Sequence, residues 1–174
     1  MKHLTLIRHA KSNWDDTGLS DFDRPLNKRG ERDAPRMGRE LERMIQSGNQ
    51  LPRPDRLVAS PARRAWTTAI LIAREIHYPE DQILKEPRIY EASTLTLFCL
   101  MREWDAALGH VLMVGHNPGL ESLARKLDPR FRGDGHKFPT CGVSLLTLRA
   151  DTWADLAEGS AVESLFLCPK MNEG

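Results

Sequence analysis

The chain has 174 residues, of which 40% are hydrophobic and 28% charged, with a formal net charge of +1; that is enough for one domain with its own core. The near-balance of 25 basic and 24 acidic residues argues against nucleic acid or an anionic membrane as partner, so any positive charge that matters must be concentrated locally. Cys99, Cys141 and Cys168 form no CxxC pair, which argues against a disulfide framework or a zinc cluster and points to small apolar side chains in a reducing, cytoplasmic compartment.

The apolar run at 4–7 is too short for a signal-peptide core or a membrane span and reads as a buried strand. It ends in Arg8-His9. A polar stretch follows, with the paired carboxylates of Asp21-Phe22-Asp23. Such a pair can hold Mg²⁺, but this one lacks strand context and partners, and a structural loop role is expected. Apolar residues at Ala34, Met37, Leu41, Met44 and Ile45 then predict a helix over 32–45. A short strand at 57–59 meets Ser60-Pro61, which reads as an N-cap and first helical residue. The helix predicted over 62–76 carries Arg63, expected on a solvated face, and Arg64. Another helix is predicted over 95–108. The strand at 111–114 runs into Gly115-His116-Asn117-Pro118, a second cap-and-proline start for a helix over 120–127. Strands at 143–148 and, more weakly, 164–167 have no helix between them and are expected to pair antiparallel. Strands alternating with helices predict a three-layer α/β/α sandwich. Its sheet is mostly parallel, with one antiparallel strand near the C-terminus, and residues 1–174 form one domain.

Three of these strands end in polar, phosphate-suited turns. Ligands of open α/β sheets bind at the carboxyl ends of the parallel strands, so parallel strands would bring Arg8, His9, Arg64 and His116 together. Arginine forks match phosphate oxygens and stay charged, and a neutral imidazole is a competent nucleophile toward phosphorus. The two helix starts would add free backbone N–H groups on the same edge. Each residue also has a plain structural alternative: a histidine at a strand end, an arginine on a helix face, a serine that merely caps. Joint placement after three strands favours the phosphate reading.

The stretch Leu6-Ile7-Arg8-His9-Ala10-Lys11-Ser12 resembles the signature of the histidine phosphatase (phosphoglycerate mutase-like) superfamily, with Ala10 where the commoner signature has glycine. Ser60-Pro61-Ala62-Arg63-Arg64-Ala65-Trp66-Thr67-Thr68-Ala69 resembles its second motif, and Val114-Gly115-His116-Asn117-Pro118 its third. Asp23-Arg24-Pro25-Leu26-Asn27-Lys28-Arg29-Gly30 and the closing Pro169-Lys170 are similar to the short SixA-type branch of protein-phosphohistidine phosphatases. The resemblance implies a phosphatase in which His9 forms a covalent phosphohistidine. Arg8, Arg64, His116 and Asn117 would bind the phosphate, with no metal and no other cofactor. Glu91 is the candidate proton donor by position, and a surface glutamate is the alternative; Glu86 and Glu103 compete more weakly. The implied partner is a phosphorylated protein carrying phosphohistidine, or a small phosphorylated metabolite. A mutase is the nearest rival, although so short a chain has little length for a closing lid. A catalytically silent phosphate-binding module is the second, disfavoured because all four pocket residues are present. His3, His77 and His110 are expected to be structural, His136 to be an exposed loop residue, and Trp14 either to wall the site or to pack.

Overall fold

The computed structural model describes residues 1–49, 51–135 and 137–169; His136 and Lys170, named above, lie outside them. The strands β1 (Lys2–Arg8), β2 (Arg56–Ala59), β3 (Leu84–Lys85), β4 (His110–Gly115), β5 (Val143–Leu148) and β6 (Ala161–Leu167) form one sheet. Their order is β3-β2-β4-β1-β5-β6. Pairing is parallel from β3 to β1, and β5 is antiparallel to both β1 and β6. The single antiparallel strand is therefore β5, where the sequence places it.

Four helices, α1 (Lys28–Gln46), α2 (Arg63–Glu75), α3 (Thr94–Arg102) and α4 (Gly119–Leu127), cover the two faces. Alternation along the strands explains the layering. Leu4, Leu6, Val111 and Met113 join the core beneath α3 and α4, whereas Ile7, Leu57, Leu112 and Val114 join the core beneath α1 and α2. Central strands buried on both sides read as continuous apolar runs, and this is why β1, β2, β4 and β5 are visible in the sequence. The two-residue β3, with both side chains exposed, has no such run and leaves no pattern in the sequence.

Three local expectations are corrected. Neither Ser60 nor Asn117 occupies an N-cap position: α2 follows Ala62 and α4 follows Pro118. Both side chains still bond near those starts, Ser60 Oγ accepting from Ala62 N–H and Asn117 Oδ1 from Glu121 N–H, each at 3.3 Å, and both also reach the site, as shown below. The helix predicted over 95–108 stops at Arg102. There the Asp105 carboxylate accepts from Ala107 N–H at 2.8 Å, a local bond that competes with helix, and Trp104 turns inward edge-to-face on Trp153 at 4.9 Å. Finally, Cys141 and Cys168 are buried as expected but Cys99 is exposed.

Candidate active site

β2, β4 and β1 lie side by side and parallel, so their carboxyl ends open on one edge. The ladder continues one residue beyond the strands. His9 N–H donates to Gly115 O at 3.0 Å and Ser60 N–H to Val114 O at 3.1 Å. These bonds fix where each turn departs. Thr68 then ties two of the turns together, accepting from Ala10 N–H at 3.0 Å and donating to Arg64 O at 2.7 Å. The loop after β1 is further held by α1. Asn27 caps that helix by accepting from Gly30 N–H at 2.9 Å, and its own N–H donates to Lys11 O at 2.9 Å. A side chain at Gly30 would collide with the Lys11 backbone, which accounts for the glycine.

His9, Arg8, Arg64 and His116 meet at this edge. The His9 ring is buried, with Nδ1 2.8 Å from Ala10 O. A carbonyl only accepts, so Nδ1 carries the proton and Nε2 is unprotonated. Arg64 Nε donates to that Nε2 at 3.4 Å. The His116 ring lies 5.2 Å from the His9 ring, and its Nε2 is 2.7 Å from Ser60 Oγ. Ser60 thus orients a histidine. Arg8 donates through Nη1 to Phe138 O at 3.1 Å. Among the described residues, Arg8 Nε and His116 Nδ1 are buried without a hydrogen-bond partner, a costly arrangement that a bound anion would relieve.

Electrostatics follow from burial among cations. Burial pushes His9 down to about 3, with His116, Arg64 and Arg8 adding to the shift against the Ala10 carbonyl. Burial pushes His116 down to about 4, and Arg64 and Arg8 lower it further while Asp21 opposes them. Both rings are neutral at pH 7. Arg8 is lowered too, by burial and by Arg64, while Glu121 acts in the other direction, but a guanidinium stays charged at neutral pH.

The other candidates fall differently. The Asn117 side chain is engaged within the protein rather than free for phosphate. Its Nδ2 donates to Phe138 O at 2.8 Å and Glu121 Oε2 at 3.4 Å, and its Oδ1 accepts from Glu121 N–H. Asn117 and Arg8 therefore hold the same carbonyl, an arrangement that anchors the loop before β5. Glu91 is exposed on the segment beside the site and has φ 54, a conformation rarely adopted by a non-glycine residue. Among the described residues it makes no side-chain hydrogen bond or ion pair. Glu86 and Glu103 are both tied to Arg88. Arg63 is exposed, as expected. Trp14 is exposed with the Arg24 guanidinium 3.5 Å from its ring centroid, so it is not core packing. Among the described residues no group of histidine, cysteine or carboxylate side chains is arranged to hold a metal ion, and no helix is long and apolar enough to cross a membrane.

Sequence reasoning misses two residues that touch the pocket side chains Arg64 and His116. Asp21, treated as loop structure, bonds Arg64 twice: Nη1 donates to its backbone carbonyl at 2.7 Å and Nη2 to its carboxylate at 3.1 Å. Tyr90 donates its hydroxyl to the same carboxylate at 2.6 Å, and its ring packs edge-on against His116 at 5.5 Å. Neither contact has a signature in residue spacing. The nearest hints are that Asp21 lies two residues before the stretch at 23–30 and that Tyr90 adjoins Glu91.

Residues 4–110 match the family model described as histidine phosphatase superfamily (branch 1). An uncharacterized protein of Mycobacterium tuberculosis is 32% identical over 173 residues, covering 94% of this chain and 100% of its own. The structure of an Agrobacterium tumefaciens protein, provisionally named phosphohistidine phosphatase SixA, superposes with TM-score 0.75 at 25% identity, covering 97% of this chain and 98% of its own. A Nakamurella multipartitia structure with the same provisional name gives TM-score 0.75 at 24% identity, over 97% of this chain and 96% of its own. The chain belongs to the histidine phosphatase superfamily, branch 1, with a SixA-type fold, a membership that supports phosphatase chemistry.

Proposed function

We propose that the protein hydrolyses phosphohistidine, on a protein or a smaller carrier, through a covalent phosphohistidine on His9 and without a metal cofactor. The observation that carries this reading is the His9 ring. Its proton is fixed on Nδ1 by the Ala10 carbonyl, and its Nε2 lone pair faces the Arg64 guanidinium at 3.4 Å. A phosphoryl group bound there would lie among Arg8, Arg64 and His116, where fixed positive charge suits an in-line transfer.

In the first step His9 Nε2 attacks phosphorus, the P–Nε2 bond forms, and the bond to the leaving group breaks. In the second, water attacks the same phosphorus, the P–Nε2 bond breaks, and inorganic phosphate leaves with His9 restored. His116 starts neutral. With Ser60 donating to its Nε2, the proton sits on Nδ1 and serves as a further donor to the phosphate, and a dianion beside the ring favours its second proton. The exposed, unpartnered Glu91 is a modest proton donor for a poor leaving group. Phosphohistidine demands less of such an acid, because a protonated nitrogen leaves readily. The provisional name of the Agrobacterium relative points to the same substrate class.

The test is phosphate release, with EDTA present, from a phosphohistidine peptide, p-nitrophenyl phosphate and phosphoglycerate. Release fastest from phosphohistidine and unaffected by EDTA is expected. Isomerised phosphoglycerate without phosphate release would establish the mutase reading, and loss of all activity in EDTA would overturn metal independence.

A further inference from the structure

The loop between β1 and α1 does more at this edge than connect two elements. It places one carboxylate oxygen of Asp21 against Arg64 and Tyr90 and the other against Arg24. The Asp21 carboxylate accepts from Arg64 Nη2 at 3.1 Å and from the Tyr90 hydroxyl at 2.6 Å through Oδ2, and from Arg24 Nη2 at 2.6 Å through Oδ1. Its backbone carbonyl takes Arg64 Nη1 at 2.7 Å. The neighbouring Phe22 completes the clasp: its carbonyl accepts from Arg63 N–H at 2.9 Å, and its ring meets Tyr90 edge-on at 5.2 Å.

The guanidinium geometry gives this clasp a consequence. Nη1 and Nη2 of Arg64 are both directed at Asp21, and Nε is directed at His9 Nε2. A guanidinium is a rigid plane, so fixing one end sets the direction of the whole fork. Arg64 is buried, with a side chain 8% exposed, whereas the Asp21 side chain is 47% exposed. The buried member is the one that faces His9. Tyr90 extends the arrangement to the other imidazole, because its hydroxyl holds Asp21 while its ring packs on His116. A side chain at Gly119 would meet Ala92 O at 2.7 Å, so the glycine that opens α4 lets the 87–92 segment come close enough to set Tyr90 there.

We infer that Asp21 and Tyr90 form a positioning pair that aims Arg64 at the phosphoryl group on His9 and couples its orientation to that of His116. The inference rests on the phosphatase reading above. Neither member is a proton donor to the leaving group. The Tyr90 hydroxyl, then burial opposing it and Arg64 reinforcing it, holds Asp21 down to about 2, and the Asp21 carboxylate holds Tyr90 up to about 12. At neutral pH one is a carboxylate and the other a phenol. Their role is geometric.

The test is the affinity of the whole protein for inorganic phosphate by calorimetry, together with kcat and KM for p-nitrophenyl phosphate. The variants are Asp21→Ala, Asp21→Asn, Tyr90→Phe, Arg64→Ala and the Asp21→Ala/Arg64→Ala double. Asp21→Ala should weaken phosphate binding and lower kcat/KM by about ten- to a hundredfold, the scale of a lost hydrogen bond to a charged group. Asp21→Asn, which can still accept from Arg64, should recover part of the loss, and Tyr90→Phe should show a smaller loss of the same sign. In the Arg64→Ala background, Asp21→Ala should have no further effect, because a residue acting through Arg64 is silent without it. Tighter phosphate binding by Asp21→Ala would show that Asp21 competes with phosphate for Arg64 and would overturn the inference. So would an equal loss in both backgrounds, or no loss. The two readings fail separately: if Arg64→Ala leaves phosphate binding unchanged, the phosphatase reading of the pocket fails, whereas if Arg64→Ala weakens binding and Asp21→Ala does not, only the positioning pair fails.

Discussion

Strand β4 begins with the buried His110 and is followed, one residue past its end, by the half-buried His116, so one strand presents a histidine at each of its two ends. At the first end every ring atom is satisfied: His110 Nδ1 is 2.7 Å from Pro52 O and Nε2 is 2.8 Å from Thr5 Oγ1. At the second, His116 has Ser60 on Nε2 and no partner on its buried Nδ1, and Arg8 Nε is likewise buried without a partner. Burial lowers both histidines to about 4. A depressed imidazole is therefore no mark of function in this fold. What separates the two ends is unmet hydrogen-bonding capacity among clustered cations, which is the condition an anion resolves.

The comparison can be broken by mutation at either end. His9→Ala should abolish turnover, down to the uncatalysed background in a steady-state assay, while circular dichroism shows a folded protein. Arg8→Ala or Arg64→Ala should each raise the transition-state energy by about 2–4 kcal/mol, read as kcat/KM. His110→Ala should do the opposite. It should leave kcat/KM within a few-fold and lower stability by about 1–3 kcal/mol, because Thr5 and the Pro52 carbonyl lose a buried partner. Denaturant unfolding measures that loss, and a dead but fully stable His110→Ala protein would invert the assignment of the two ends.

Acid sharpens the same contrast. His110 and His116 titrate near 6.5 in the unfolded chain and near 4 when folded, and His9 near 3 when folded. Between those limits the unfolded state binds more protons, so stability is full above about pH 6.5 and falls as pH drops toward 4. Each such group adds a slope of about 1.4 kcal/mol per pH unit within its window. His110→Gln should remove one such slope whether or not phosphate is present. Saturating phosphate should flatten the contributions of His116 and His9 and leave that of His110, because the dianion stabilises an imidazolium only at its own end of the strand. A smaller effect is expected of Glu91→Gln: under about tenfold on phosphohistidine and a larger loss on an alkyl ester such as phosphoglycerate, short of the full range for general acids. Equal losses on both would remove the argument that the leaving nitrogen needs little help.

How far these features are legible in the sequence depends on the range of the interactions involved. Strand ends are local. Arg8, His9, Arg64 and His116 could be assigned to one edge because each follows a buried apolar run and parallel strands share a direction. Side-chain partners are not local. Ser60 reads as a cap from its neighbours, yet its hydroxyl is 2.7 Å from His116, 56 positions away. Asn117 reads the same way, and besides serving the first turn of α4 it grips the Phe138 carbonyl. The Asp21–Tyr90 bond spans 69 positions and depends on how the loop before α1 folds over the start of α2. Likewise α3 ends where Asp105 and Trp104 find better partners than another helical turn, and β3 is too short to leave an apolar pattern.

The central claim is that His9 Nε2, left unprotonated because the Ala10 carbonyl holds the ring proton on Nδ1, takes the phosphoryl group. Acid-sensitive, base-stable label distinguishes a phosphohistidine from a phosphoserine or an acyl phosphate, so rapid mixing with ³²P-labelled substrate, quenching and peptide mapping tests it directly. Label confined to the peptide containing His9, and absent from His9→Ala, is the predicted result. Phosphate released by the wild-type protein with no trapped label, or label on a different residue, would contradict the account.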